Sequence, residues 1–548
     1  MKFKLDLTNK KLNLIVTAII LAVGILVGVV TSIDFVEFYN YRTYWNGERD
    51  VIDHVEHLSQ YSPNLKGKSN DVEIYVSHGS NNTVALVQAS KLGEYDTVEK
   101  IAQAYEDNNC QIIADTVHYT TVADQQALTL SDHIVTKATA QDAINAAKGG
   151  GVGLVSYATA KQAIAADDTL AISQAKVEMV PSMLVMGGTH PNEPSGQMTA
   201  ILFLENVVMQ RGTIYIIPEI NRSAYSYSTP QEAQSWYFTI PVYNDKGEEI
   251  GQREFKFGSR LTNVKEQWPV PDVYTHSSGQ QLSANEIRNL NRSFPGSPDG
   301  TYTEMTAWGV TNLLLQNDIT IEIDLHEASP EYLTNNALIY HQDSKEIYNR
   351  IKLNPKAFRY PKLDEMGNEV LDKDSNPVTN RMVISMEESP ENMHGLSHRE
   401  LGDYSNSYVF LLETCDAAEG RIRGAFTPDL ITYYDHNDKF YEHLAKLDAE
   451  RGITAKQGGY LYVPPVSIDV RVARHSFTIT TIVDAYNKIG FARSSYGNSF
   501  LDESLRHQPT DNLYRGSFVM EDIPSYNDIV TKGTGSFLYP QPEGTFSK

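Results

Sequence analysis

Gly187-Gly188-Thr189-His190-Pro191-Asn192-Glu193-Pro194-Ser195-Gly196 is the stretch on which the fold turns. The apolar run Met183-Leu184-Val185-Met186 leads into it, and a helical pattern from Met198 to Gln210 leads out. A histidine and a carboxylate therefore sit three residues apart on a Gly-rich turn between a strand and a helix. Open α/β sheets bind their ligands in this place, beyond the carboxyl ends of the strands.

Outward from the turn, apolar strands alternate with helical patterns. Strands are expected at Met183–Met186, Thr213–Pro218, Ile319–Leu325 and Tyr408–Leu412, and helices at Met198–Gln210, Glu304–Gln316 and Ile431–Leu447. This alternation predicts an α/β fold, a sheet covered by helices on both faces. The Tyr-, Ser- and Pro-rich segment 223–281 reads as a long surface excursion. After about Ala455, Tyr460–Val463 and Val466–Val472 alternate like strands, and Thr480–Ile489 is helical. The tail from Arg515 is polar and reads as loose. No internal repeat is evident.

The chain has 548 residues, too many for one core, so several domains are expected. The formal net charge of −23 argues against nucleic acid and against broad contact with an anionic membrane surface. Two cysteines, Cys110 and Cys415, exclude a disulfide scaffold and a Cys-based zinc cluster. Leu12 to Ile33 carries no charge and is long enough to cross about 30 Å of hydrocarbon as a helix. Lys2, Lys4, Lys10 and Lys11 precede it, while Asp34 and Glu37 follow, so the N-terminus is placed in the cytoplasm and the bulk outside. An uncleaved anchor is favoured over a cleaved signal peptide because no clear cleavage motif follows. The expected organisation is a cytoplasmic N-terminus (1–11), a transmembrane anchor (12–33), a membrane-proximal α/β region (34–176), a hydrolase domain (177–455) and a C-terminal β-containing region with a loose tail (456–548). Within the membrane-proximal region, Phe35–Tyr61 reads as a helix or stalk and Val72–Val76 as a strand. Thr97–Asp107 and Ala140–Ala147 read as helices.

Catalytic zinc takes three protein ligands and leaves a fourth position open. His190 and Glu193 supply two, although H-x-x-E alone is common by chance. Ile321-Glu322-Ile323-Asp324-Leu325-His326 adds a histidine where an apolar strand ends. Asp324 lies two residues earlier, on the same strand face, where a carboxylate can fix a ligand histidine's tautomer. Asn289-Leu290-Asn291-Arg292-Ser293-Phe294-Pro295-Gly296 offers an Arg and an Asn for a carboxylate. Phe410-Leu411-Leu412-Glu413-Thr414 ends a strongly apolar strand in a glutamate, which beside zinc-bound water can serve as general base and acid.

Gly-Gly-Thr-His-x-Asn-Glu, Asn-Arg-x-Phe-Pro-Gly, Asp-Leu-His and an apolar strand ending in Glu-Thr, in that order, resemble the aspartoacylase/succinylglutamate desuccinylase family. That family is a branch of the zinc carboxypeptidase (M14-like) superfamily. The resemblance spans roughly residues 177–450 and implies a zinc-carboxypeptidase-like mixed sheet flanked by helices. It implies Zn2+ held by His190, Glu193 and His326, a substrate carboxylate bound by Asn291 and Arg292, and Glu413 as general base/acid. It also implies an arginine that polarises the scissile carbonyl: Arg260 is preferred, with Arg222 and Arg288 as rivals. Tyr404, on the charged run Gly395–Tyr404, is the candidate that closes over substrate. Pro191 departs from the family, which has Gly there. The expected activity is amide hydrolysis in a small-molecule or peptide substrate with a free carboxylate, by an N-acyl amino acid deacylase-like enzyme. The alternatives are a carboxypeptidase acting on peptides or cell-wall stems, and a non-catalytic surface binding protein.

Overall fold

The computed structural model describes residues 54–79, 177–179, 181–226, 237–317, 319–332, 334–417, 427–436, 438–452, 464–487, 513–515 and 518–540. Those from 54 to 539 belong to one compact unit, Val51–Tyr539. The Leu12–Ile33 segment, the helices expected at Thr97–Asp107 and Ala140–Ala147, the strand expected at Tyr460–Val463, and Cys110 lie outside the described residues. Among the described residues no helix is long and apolar enough to cross a membrane.

The core is a mixed eight-stranded sheet. Its strands are β1 (His54–His57), β2 (Glu73–His78), β3 (Ser182–Met186), β4 (Thr213–Ile217), β5 (Ile321–Ala328), β6 (Ala337–Tyr340), β7 (Ser385–Glu388) and β8 (Tyr408–Cys415). The spatial order is β1-β2-β4-β3-β5-β8-β6-β7. The four central strands β4, β3, β5 and β8 are parallel. β2 runs antiparallel to β4 on one side, and β6 antiparallel to β8 on the other. Every residue of β5 is buried, which requires cover on both faces.

Helices α1 (Pro194–Asn206), α2 (Tyr302–Asn317), α3 (Lys345–Leu353), α4 (Ser397–Tyr404), α5 (Lys439–Arg451) and α6 (Ile468–Asn487) supply most of that cover. On one face, Leu184, Met186 and Val409 share a cluster with Met305, Val310, Leu313 and Leu314 of α2 and Leu401 of α4. The other face carries α1 and α6.

The N-terminal strands correct one expectation. Residues 54–61 are not a stalk: β1 pairs with β2, the short 3-10 turn Leu58–Gln60 follows, and Leu58 and Tyr61 enter the core cluster beside Val72, Ile74 and Val76. The strand expected at Val72–Val76 is thus part of the sheet that carries the candidate site.

Other boundaries shift for local reasons. Helix α1 starts at Pro194, whose fixed φ suits a first helical turn, and stops at Asn206. The last three residues of the helix expected to Gln210 belong instead to a strand, Val208–Arg211, paired with Val519–Glu521. The helix expected at Ile431–Leu447 is two, Pro428–Thr432 and α5. Tyr433 takes a left-handed φ of 50° between them, and Asp438 caps α5 by accepting from the Phe440 and Tyr441 N–H groups. Val466–Val472 is not a strand. Its short alternation is the first turn of α6, a 20-residue helix that buries Ile468, Val472, His475, Ile479, Ile482 and Tyr486 at helical spacing.

The tail beyond Arg515 is ordered where described. A strand (Val519–Glu521) is followed by a helix (Tyr526–Lys532) capped by Ser525, and Thr534 donates to Asp469 of α6. The 223–281 excursion contains a hairpin, Tyr237–Tyr243 with Glu249–Lys256, that buries Phe238, Ile240, Val242 and Phe255.

A repeat does exist: Leu363-Asp-Glu-Met-Gly-Asn-Glu-Val370 is followed at once by Leu371-Asp-Lys-Asp-Ser-Asn-Pro-Val378. In each octad the aspartate Oδ1 accepts two backbone N–H bonds, from Met366 and Asn368 and then from Asp374 and Asn376. The shared signal is short and polar, so hydrophobic periodicity does not reveal it.

Candidate metal centre

The ligand turn is built on close backbone approach. Gly188 has a φ of +71°, a region that glycine enters at little cost. A Cβ on Gly196 would lie 2.4 Å from the Leu325 carbonyl oxygen, so only glycine lets α1 start against β5. This contact brings Glu193, at the N-cap of α1, beside His326.

His190, Glu193 and His326 are buried and form a compact donor set, each offering an atom within 4.8 Å of the others. His190 Nδ1 lies 2.7 Å from Glu193 Oε1, and His326 Nδ1 lies 2.7 Å from Glu193 Oε2. The two rings meet edge to face, with centroids 4.8 Å apart. Both imidazoles therefore turn the same nitrogen inward. Each outer nitrogen has an acceptor: Asn289 Oδ1 is 2.8 Å from His190 Nε2, and Asp324 Oδ2 is 2.9 Å from His326 Nε2. A neutral imidazole with its Nε2 proton held this way presents the Nδ1 lone pair, as a metal ligand must. Two such nitrogens and one carboxylate fit the three-ligand set of a catalytic zinc ion.

Asp324 is itself fixed by Thr189 Oγ1 at 2.8 Å and Ser397 Oγ at 2.6 Å. Burial opposes its ionisation, but His326 and these donors outweigh that and hold its pKa below the ordinary value. Burial likewise opposes Glu193, and the two imidazoles override it. For His326, burial favours the neutral ring, while Asp324 and Glu193 pull its pKa well up. For His190, burial wins and lowers the pKa, with Arg260 adding to the effect.

Glu413 is in register with His326 on the neighbouring strand, so the two side chains share a sheet face. It lies within β8 rather than at its end, as His326 does within β5. Its Oε2 is buried with no hydrogen-bond partner among the described residues. Burial pushes its pKa up to about 8, partly offset by His326 and Arg260.

Among the three arginines weighed for the carbonyl, Arg260 acts electrostatically on His190, Arg292 and Glu413. Arg222 is held by Glu73 at 2.5 Å and lies 3.4 Å from Glu219. Arg288 is buried and donates to the Thr262 carbonyl at 2.9 Å. Pro191 bears on the same loop: its carbonyl accepts from the Gly258 N–H at 3.2 Å, two residues before Arg260.

Asn291 and Arg292 lie on the short turn Leu290–Arg292. Asn291 Oδ1 accepts from the Ser397 N–H at 2.8 Å. Burial and the Arg260 charge lower the Arg292 pKa, against the pull of Glu286, Glu193 and Glu413. Ser397, at the first turn of α4, touches Asp324; Tyr404 is half-exposed at the other end, about 10 Å along the axis.

Several contributors were not evident in the sequence. Asn289, on the loop that carries Asn291 and Arg292, has no sequence signal that pairs it with His190. Arg471, from α6, forms a fully buried ion pair with Glu327 at 2.8 Å, and the Glu327 N–H donates to Glu193 Oε2 at 3.0 Å. An arginine at helical spacing among apolar residues was the available signal, lost because that segment read as a strand.

The described residues combine a mixed eight-stranded α/β sheet with a buried His–Glu–His donor set that could hold a metal ion. No family model and no curated protein matches the sequence. Among solved structures, the chain is similar to a Gln46His variant of the cell shape determinant protein Csd4 from Helicobacter pylori, at 11% identity and a TM-score of 0.27, over 56% of this chain and 51% of that one. It is also similar to an aspartoacylase family protein from Mesorhizobium loti, at 18% identity and a TM-score of 0.24, over 44% and 56%. A succinylglutamate desuccinylase from Silicibacter is similar at 15% identity and a TM-score of 0.24, over 53% and 64%. The chain spans about half the length of the first two of these structures. At such levels of likeness, the functional argument rests on the site's own residues.

Proposed function

We propose that this protein is a zinc-dependent hydrolase that cleaves an amide bond in a substrate bearing a free carboxylate. The observation that carries the reading is the convergence of two imidazole Nδ1 atoms on the two oxygens of Glu193, with Glu413 in register beside His326. His190, Glu193 and His326 would hold the ion, and Asn289 and Asp324 fix the ligand tautomers. A bound zinc ion supplies Lewis acidity and a water nucleophile competent near neutral pH.

Glu413 takes the proton from the attacking water and returns it to the leaving nitrogen. Arg260 donates to the carbonyl oxygen as negative charge develops there. Arg292 and Asn291 bind the substrate carboxylate and fix the amide for attack. In the membrane-anchored form, Leu12–Ile33 would tether this unit outside the cytoplasmic membrane. An N-acyl amino acid deacylase and a carboxypeptidase share this machinery and differ in what lies on the leaving side.

The test is a substrate panel of N-acyl amino acids against peptides with free C-termini, run on zinc-loaded full-length protein. Turnover of either set is expected, and the set that turns over names the substrate class. Glu413→Gln should reduce kcat by about 10²–10⁴-fold, the range for a general base, with zinc content unchanged. Undiminished turnover in that variant would remove Glu413 from the mechanism.

A further inference from the structure

The residue at the outer nitrogen of His190 is an amide, whereas Asp324 serves His326. A carboxylate accepts through either oxygen. An amide accepts through one end only, and a half-turn about its last bond presents two donors instead. With His190 Nδ1 facing the donor set, its Nε2 carries the proton, and a flipped Asn289 would set N–H against N–H. The acceptor role of Asn289 therefore depends on something that fixes its orientation.

Two groups fix it. The Asn291 N–H donates to Asn289 Oδ1 at 3.0 Å. At the other end, Asn289 Nδ2 donates to Glu286 Oε2 at 2.8 Å. Asn289 is fully buried, so its amide protons have no bulk water to fall back on. The same Glu286 Oε2 lies 3.6 Å from Arg292 Nε. Glu286 comes from the turn Ala284–Arg288 just before the loop, and its side chain is 27% exposed, close to the 26% of Arg292.

We infer that Glu286 is a positioning residue for the metal centre, which acts through Asn289 to set the tautomer and basicity of His190 and joins that ligand to the Arg292 anion site. The inference rests on the zinc-hydrolase reading. A carboxylate accepting from Nδ2 draws the amide dipole towards itself and makes Oδ1 a better acceptor for the imidazole proton. That strengthens the lone pair offered by His190. Because one oxygen serves both Asn289 and Arg292, an anion drawn onto Arg292 shifts the balance of charge felt at His190.

The experiment compares zinc affinity, measured by competition with a chelating dye, in full-length wild-type protein, Glu286→Ala and Glu286→Gln. Glu286→Ala is expected to weaken zinc about tenfold, within the range for outer-layer partners of metal ligands. Glu286→Gln, whose amide oxygen can still accept from Asn289, should recover most of that loss. Glu286→Ala leaves a buried Asn289 N–H without its acceptor, so the metal-free Ala variant should melt somewhat below wild type; the His190 tautomer, which general destabilisation would leave unchanged, separates positioning from that loss. In ¹⁵N spectra the zinc-free Ala variant should show His190 as a mixture of tautomers. Equal zinc affinity in wild type and both variants would overturn the inference while leaving the hydrolase reading intact. Absence of zinc binding by wild type would overturn that reading itself.

Discussion

Asp324 is the most informative residue to remove. It is fully buried and accepts three hydrogen bonds, from His326 Nε2, Ser397 Oγ and Thr189 Oγ1. In Asp324→Ala the two hydroxyls can turn towards other acceptors, but the imidazole N–H cannot. One buried donor left without a partner costs about 1–3 kcal/mol. With the lost packing, the metal-free protein should lose about 2–4 kcal/mol of its stability, which thermal or urea unfolding can read. Loss of the acceptor also frees the ring to rotate or change tautomer, so zinc affinity should fall about 10–100-fold. Asp324→Asn tests the same logic more finely. Its amide oxygen can accept from His326 and Ser397, while its NH2 donates to the Thr189 hydroxyl. Every group keeps a partner and only the charge is lost, so stability should drop by about 1 kcal/mol and zinc affinity by about tenfold. The assays are unfolding of the metal-free protein and chelator competition for zinc. If Asp324→Ala binds zinc as tightly as wild type, or Asp324→Asn binds it more weakly than Asp324→Ala, the reasoning about the ligand tautomer is wrong.

Two further perturbations probe the sheet that holds the site. Glu322 is buried on the same face as Asp324, neither of its oxygens has a hydrogen-bond partner among the described residues, and burial with Asp324 nearby raises its pKa well above the ordinary 4.5. The folded state then binds a proton that the unfolded state releases above about pH 4.5. Stability from this group is full below that value and declines as pH rises towards the elevated folded pKa. Glu322→Gln should therefore flatten stability against pH above about 4.5, and an unchanged slope in urea titrations would exclude this group as the cause. On the opposite face, Arg471→Met should cost about 3–5 kcal/mol by leaving Glu327 buried and unpaired, and Glu327→Leu combined with it should recover most of that loss.

The parts of the site legible in the sequence are those where residue type and position coincide. Met183–Met186 and Ile321–Leu325 are apolar enough to announce central strands, and the ligands sit on or just beyond them. Asp324 could be assigned to the His326 face from strand alternation alone. What stayed hidden depends on contacts distant in sequence. The amide of Asn289 has meaning only once the loop places it against His190, and Arg471 only once α6 lies against Glu327. A charged run beside an apolar strand does not say which end of its helix faces the donor set, and it is Ser397, not singled out in the sequence, that bonds to Asp324. Residues 54–78 looked like a lead-in because antiparallel edge strands, with no helix between them and the sheet, break the strand–helix rhythm.

In the proposed hydrolase, His190, Glu193 and His326 hold one zinc ion. Full-length protein stripped with chelator, reloaded with zinc and dialysed should carry about one zinc per chain by elemental analysis. Glu193→Ala and His326→Ala, handled identically, should carry almost none. A wild-type protein that retains no zinc, or variants that retain as much as wild type, would contradict the account.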